Sequence, residues 1–441
     1  MLRRASTVKD LAGSVHSQLR ERTNACPRMQ DIIHLFEAMY SASLKTEESH
    51  PVVFHVVYID PDNPDPHPPQ RIVKDRWGYV RFSMSVPATP SNLAKLAMAT
   101  DPRSSSLAVY HDRRGGLSVW GLVDQGNSYH DFVKYDMDEG PERPGIFQAS
   151  IEGPGHIVVN DGYDTMSRLK VDALTGKPID ALKTGPLRQM LQCAVSDHVE
   201  SVKSQVPFEM YPHVDMALDW LEQPLSSLRR LLLRVQTFRQ GGALLITPDT
   251  SGPDLNIKYA IDYDRLRSAT ATYVALVAQS LFVWDVIHGE YLEPDCEDMP
   301  VGLHLNDVIV RGDLDESRME LDGAIWLVSL LTRVDGAVLM DQTMRVKGFG
   351  VEITSIGEPP NLFIASGPRA TRKMLREADH KSYGTRHRSV MRYCSQVPGS
   401  VGFVVSHDGD VRAIALIEGR LTMWENIRLE HTDFRYSRIR R

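Results

Sequence analysis

Apolar positions along the chain fall into two alternating rhythms. Ile32, Ile33, Phe36, Met39 and Tyr40 recur at helical spacing and predict a helix from about 27 to 44. PVVFHVVYI then reads as a β-rich run and stops at DPDNPDPHPP, whose Pro/Asp density makes a loop. SLAVYH and LSVWGLV flank DRRGG, and FQASIEG and HIVVND flank Gly153-Pro154-Gly155, so each pair predicts a hairpin. Residues 50–165 thus read as a small antiparallel β unit with a helical start, and residues 187–218 turn helical again. Residues 1–25 are polar and mixed in charge, which predicts a flexible N-terminal segment.

From Leu225 the pattern changes. Leu225, Leu228, Leu232, Val235 and Phe238 share one helical face, and Gly241-Gly242 then lead into the apolar run Ala243–Ile246. A short, wholly apolar run is the mark of a strand buried on both faces. Two helical stretches follow, about 263–288 and 315–333, and VDGAVLMD predicts a second buried strand. Val390, Cys394 and Val397 line one face of a helix after Gly384-Thr385, and VGFVVS, VRAIALI and GRLTMW form a terminal meander around a tight HDGD turn. The expected fold is α/β (α+β). A C-terminal domain over 220–435, with a central mixed sheet flanked by helices, is preceded by a smaller β-rich α+β domain over 26–215.

Composition narrows the classes. The 441 residues are 42% hydrophobic and 24% charged, with a net charge of −7, which argues against a protein built to coat nucleic acid. Cys26, Cys193, Cys296 and Cys394 are scattered without a CxxC pair, which disfavours a zinc or disulfide framework and predicts a reducing, cytoplasmic setting. The N-terminus lacks the apolar core of a secretory signal. Ser268–Ile287 is apolar enough to raise a membrane span, but its Ser, Thr, Gln and Asp285 predict a buried helix and no membrane association.

One stretch concentrates cationic chemistry: YGTRHRSVMRYC, with Arg386, His387 and Arg388 at a helix start. Free N–H groups and the helix dipole favour an anion there, and Thr385 is placed to cap. Two planar guanidinium groups match phosphate oxygens, His387 adds a donor or a metal ligand, and Gly384 permits close approach. A run of this kind is also compatible with a solvated surface. Asp335, at the start of a buried strand and followed by small residues, is the candidate to hold Mg²⁺ or Mn²⁺ or to act on a hydroxyl. A second Asp-Gly-Ala, Asp322 to Ala324, lies inside a helical pattern and reads as structural.

The order GGALLIT, VDGAVLM, GTRHR and VGFVVSHDGDVRAIALIEGRL resembles the diadenylate cyclase domain of bacterial cyclic di-AMP synthases, whose signature motifs are DGA and RHR. The resemblance covers roughly residues 220–430. It implies that Asp335 serves the 3′-hydroxyl and the metal, and that Gly336 and Ala337 line the nucleotide. It further implies that Gly384, Thr385, Arg386, His387 and Arg388 hold the triphosphate of ATP, with Ser406 at the terminal phosphates. The implied reaction joins two ATP into cyclic di-AMP and two pyrophosphates, across a face-to-face homo-oligomer. The alternative is a catalytically silent nucleotide-binding sensor or scaffold.

Departures accompany the resemblance. Asp335 and Arg386 are 51 positions apart (386 − 335), longer than in compact members, and His407 follows Ser406. The basic segment containing Arg369, Arg372, Lys373 and Arg376 reads as one solvated helix face rather than as further phosphate contacts. The N-terminal half carries no catalytic motif, and its resemblance is to the sensor domains that precede such cyclases, with an unknown ligand. SLAVYHDRRGGLSVWGLV echoes GFVVSHDGDVRAIALIEG, but ordinary hairpins look alike, so no duplication is expected from this.

Overall fold

The computed structural model describes residues 5–22, 26–65, 77–111, 116–135, 143–290, 299–406 and 409–431. It divides into two compact units, Met1–Pro178 with Glu430–Arg441, and Ile179–Leu429. The architecture is mixed α+β, as expected, with a β-rich N-terminal unit and a helix-and-sheet C-terminal unit.

The N-terminal unit begins with an unexpected helix. Val8–Arg22 buries Leu11, Ala12, Val15 and Leu19 almost completely, so residues 8–22 form a packed helix and not a flexible end. Leu11, Val15 and Leu19 recur at i, i+4 and i+8 with Ala12 beside them, a stripe thin enough to be diluted by Ser14, His16, Ser17 and Gln18 between them. Met29–Ser43 packs beside it. Their sheet has eight strands in the spatial order Ala173–Thr175, Asp164–Lys170, His156–Asp161, Phe147–Gly153, Phe54–Tyr58, Ser105–His111, Leu117–Asp124, Gly78–Pro87. Both expected hairpins form, and Gly155 takes the positive φ that the tight Pro154-Gly155 turn requires.

The C-terminal sheet has nine strands in the order Leu255–Tyr263, Val346–Ile353, Ala337–Met340, Gly242–Ile246, Val401–Val405, Val411–Ile417, Arg420–Trp424, Leu362–Ala365, Leu375–Ala378. The predicted buried strands Gly242–Ile246 and Ala337–Met340 are its parallel centre, and every residue in both is buried. The helices Gln192–Lys203 and Tyr211–Leu221 pack on Arg265–Glu290. Arg267 bridges to Asp197 at 2.9 Å and to Ser201 at 3.0 Å. These contacts place the division between units at Pro178/Ile179, not at 215–220. Arg265–Gly289 is long and apolar enough by length and composition to cross a membrane. In this unit it buries Leu266, Ala269, Val274, Ala278 and Val283. The basic segment is not helical beyond one 3₁₀ turn, Arg372–Met374. It continues as the edge strand Leu375–Ala378, paired with Leu362–Ala365.

The two units share one connectivity. In each, a helix leads into the central strand, and an edge strand, one or more helices and a strand parallel to the centre follow. An antiparallel strand then pairs both that strand and the edge. On the other side of the centre comes an antiparallel three-strand meander. The registers agree as well. Phe54 faces Ile151 as Gly242 faces Val405, and Val56 faces Leu107 as Leu244 faces Val338.

Candidate functional site

Register assembles the C-terminal site. Gly242 opposes Val405, and the strands Gly242–Ile246 and Ala337–Met340 run parallel from the same end. Asp335, just before Ala337, therefore lies at the same end of the sheet as Ser406, just after Val405. Thr385–Gln396 packs across the antiparallel strands Val401–Val405 and Val411–Ile417. A Cβ on Gly402 would collide with the Val390 side chain, so glycine there lets the helix lie close to the sheet. The helix then returns to Val401 through a short loop, which sends its N-terminus back toward the end that bears Ser406. His387 confirms this level by contacting Arg412, the register partner of Val404.

Asp335 is exposed, and among the described residues its carboxylate meets no hydrogen-bond donor or cation. The next residue fixes its position. Gly336 has φ +113°, and a Cβ there would come within 2.6 Å of the Gly350 carbonyl carbon and 2.7 Å of the Val351 nitrogen. Only glycine suits that conformation and that backbone approach. Ala337 is buried at the start of its strand. By contrast, Asp322 of the second Asp-Gly-Ala sits within the helix Val301–Leu331 and accepts from Arg230 at 2.9 Å and Arg234 at 2.8 Å, the structural role expected of it.

At the helix, Gly384 and not Thr385 takes the cap position. Among the described residues no side chain bonds the free N–H groups, and nothing lies within 4 Å of where a Gly384 Cβ would be. Thr385 is the first helical residue and is exposed. Arg386 and Arg388 are half-buried, and among the described residues neither pairs with a carboxylate. The Nε of Arg388 is buried without a hydrogen-bond partner. Open N–H groups and two uncompensated guanidinium groups at one helix end make an anion site by elementary electrostatics.

His387 does something different from its neighbours. It is 9% exposed, and its Nε2 lies 3.1 Å from Nη1 of Arg412. An arginine can only donate, so Nε2 accepts and the proton of the neutral ring resides on Nδ1. Burial, then the charges of Arg412 and Arg386, hold its pKa down to about 4. At neutral pH it is therefore an uncharged prop for Arg412 and not a third cation. Arg412 is the residue that motif reading missed. Its Nη2 is 3.6 Å from Asp410 and its Nε 3.7 Å from Glu425, and Glu425 accepts a 3.1 Å bond from the Tyr383 hydroxyl. Burial and Glu425 push the Tyr383 phenol up to about 12, so it stays a donor. The network links the residues before and inside the helix to two strands of the meander, and an arginine in a strand with no motif around it gives no sequence signal.

Ser406 closes its own turn. Its N–H donates to the Asp410 carbonyl at 2.9 Å, and its Oγ accepts from the Asp410 N–H at 3.2 Å. His407 lies outside the described residues. Among the described residues no group of three or more His, Cys, Asp or Glu side chains converges to hold a metal. A Mg²⁺ or Mn²⁺ at Asp335 would bind as such ions commonly do beside nucleotides, through one carboxylate and the phosphates of the ligand. Asp335 fits that role.

Two comparisons bear on these units. Residues 21–124 match the family model described as the probable sensor domain DACNV, which lies within the N-terminal unit. Among curated proteins none matches the chain.

Proposed function

We propose that the C-terminal unit is a diadenylate cyclase domain and that the N-terminal unit is its sensor. One observation carries the reading: an exposed Asp335, without a partner among the described residues, shares a sheet end with an open helix N-terminus bearing Arg386 and Arg388. The match at 21–124 adds weight, because that sensor domain is known as the N-terminal part of diadenylate cyclases. By register, Ser104 stands in the N-terminal unit where Asp335 stands in the other, so the acid belongs to one unit alone.

In this reading the helix N–H groups with Arg386 and Arg388 bind the triphosphate of ATP. Gly336 and Ala337 leave room for the nucleoside. Asp335 orients the 3′-hydroxyl and, with phosphate oxygens, holds a divalent ion whose charge offsets that of the phosphates. Each 3′-oxygen forms a bond to the α-phosphorus of the other ATP and a pyrophosphate leaves, so two ATP give cyclic di-AMP, two pyrophosphates and two protons. Most of the acceleration in such a transfer comes from alignment and charge neutralisation. Each chain holds one ATP, in its C-terminal unit, so turnover needs two chains face to face.

The test is direct. Purified protein incubated with ATP and Mn²⁺ or Mg²⁺ should yield cyclic di-AMP by chromatography and mass, and Asp335→Asn should yield at least ~10²-fold less, as for loss of a catalytic group. Saturable ATP binding that is lost in Arg386→Ala, without product under either metal, would instead favour the silent nucleotide-binding protein.

A further inference from the structure

The back of the C-terminal sheet carries chemistry that the proposed reaction does not use. Leu421 and Met423 share an apolar core with Val390 and Met391 of the helix Thr385–Gln396. Strand alternation sends Arg420 and Thr422 to the other face, and Ile417, the register partner of Arg420, goes with them. On that face lies a cavity of about 500 Å³, lined by these strands, by the loop that carries Arg369 and Arg372, and by the segment from Thr184 to Gln189. All of these residues belong to one compact unit.

The walls are built into the fold. Ala181, Leu182 and Leu187 are fully buried and anchor the first segment. Gly185, at φ +99°, lies so close to the arginine loop that a Cβ there would collide with the Pro368 carbonyl oxygen. The loop is closed on itself: the Ser366 N–H donates to the Met374 carbonyl at 2.9 Å, and the Met374 N–H to the Thr371 carbonyl at 2.7 Å. Between them Ala370 is held at φ +46°, a left-handed conformation that a residue with a Cβ adopts at a cost.

The charges in the lining do not balance. Arg420 lies 3.7 Å from Glu418. Arg369 and Arg372 are exposed, and among the described residues neither pairs with a carboxylate. Three arginines thus stand against one glutamate, a surplus of two positive charges. A phosphomonoester carries about −1.5 to −2 at neutral pH, and its oxygens match the guanidinium fork. A bare phosphate ion would leave most of such a volume unfilled, since cavities of this size suit small organic molecules. The rest of the lining is mixed. Thr184 and Gln189 offer hydrogen-bonding groups, and Pro186, Leu375 and Ile417 offer apolar surface, as a hydroxylated carbon skeleton requires.

We propose that this cavity binds a phosphomonoester of sugar size, its phosphoryl group held by Arg369, Arg372 and Arg420 and its hydroxyl groups by Thr184 and Gln189. The site lies on the face of the sheet away from the helix that bears Arg386 and Arg388, and the proposal does not depend on the cyclase reading.

Calorimetric titration of the full chain with ribose 5-phosphate tests it, with ribose and inorganic phosphate as its two halves. Ribose 5-phosphate should bind about tenfold or more tightly than either half. Arg369→Gln with Arg372→Gln should weaken it by about tenfold or more, as for loss of charged hydrogen bonds. Both side chains are exposed, so the thermal melt of that variant should match wild type and exclude misfolding as the cause. Arg386→Ala, at the proposed triphosphate site, should leave this binding in place, so failure here is separable from failure of the cyclase reading. Absence of ribose 5-phosphate binding, equal binding of inorganic phosphate, indifference to the paired substitution, or loss of binding in Arg386→Ala would each overturn the assignment.

Discussion

At the scale of single residues, the cationic triplet divides its labour. Arg386 and Arg388 face an open helix end, whereas His387 turns inward to accept from Arg412. Its pKa of about 4, below the ordinary 6.5, means that the unfolded chain binds the proton more tightly. The stabilising contribution is therefore present above pH 6.5 and is lost as pH falls toward 4. At pH 5 the loss is about 1–2 kcal/mol after allowance for its partial solvent contact. His55, held down to about 3, and His198, to about 4, act in the same direction, chiefly through burial, so a variant is needed to isolate the effect. His387→Gln keeps an acceptor for Arg412 and removes the titration. Its melting temperature should fall less between pH 7 and pH 5 than that of wild type, by roughly 2–8 °C. Parallel slopes for the two proteins would refute the assignment.

At the scale of elements, the site depends on how closely one helix approaches one strand. Gly402 permits Val390 to lie against the sheet, and the Cys394 sulfur would be 3.5 Å from a Cβ there. Gly402→Ala should lift Thr385–Gln396, cost about 1–3 kcal/mol as overpacking does, and raise the KM for ATP more than it lowers kcat. A thermal melt and steady-state kinetics check it, and an unshifted melt would show that the helix yields freely. What was legible in the sequence at this scale follows from periodicity. Ala243–Ile246 and Ala337–Met340 are buried on both faces, so they stand out as apolar runs. The helix Val301–Leu331 was half missed, because Val301, Leu305, Val308 and Ile309 in its first half are exposed and mark no core face. The basic run 369–376 misled because its charges give no period, and the strand it joins is an edge. The motif residues of the site were legible as types, but Arg412, Glu425 and Tyr383 meet only through register.

At the scale of the whole molecule, the chain repeats one topology, a fact its sequence conceals. The echo between SLAVYHDRRGGLSVWGLV and GFVVSHDGDVRAIALIEG pairs strands that are not equivalent. The counterpart of Val401–Val405 and Val411–Ile417 is Phe147–Gly153 and His156–Asp161, around Pro154-Gly155, because each first strand lies antiparallel to its unit's centre. Only hydrogen-bonding order exposes this, since strand side chains in both copies are chosen by burial. Knowing where each copy ends decides how the chain can be cut. Residues 192–203 read as the tail of the N-terminal half, yet their helix buries His198 and Val202 and holds Arg267 through Asp197. Arg267 also binds Asp264, which binds Arg345 beside the central strands. A fragment spanning 179–429 should therefore fold as a unit with a cooperative melt, whereas one starting at 206 should lose the helix, strand Arg267 with half its partners and melt lower by several degrees or aggregate. Circular dichroism melts of the two fragments distinguish these outcomes. Equal melting would mean that the helix belongs with the N-terminal unit. If the longer fragment folds, its rate of ATP turnover beside that of the full chain measures what the N-terminal unit does to the reaction.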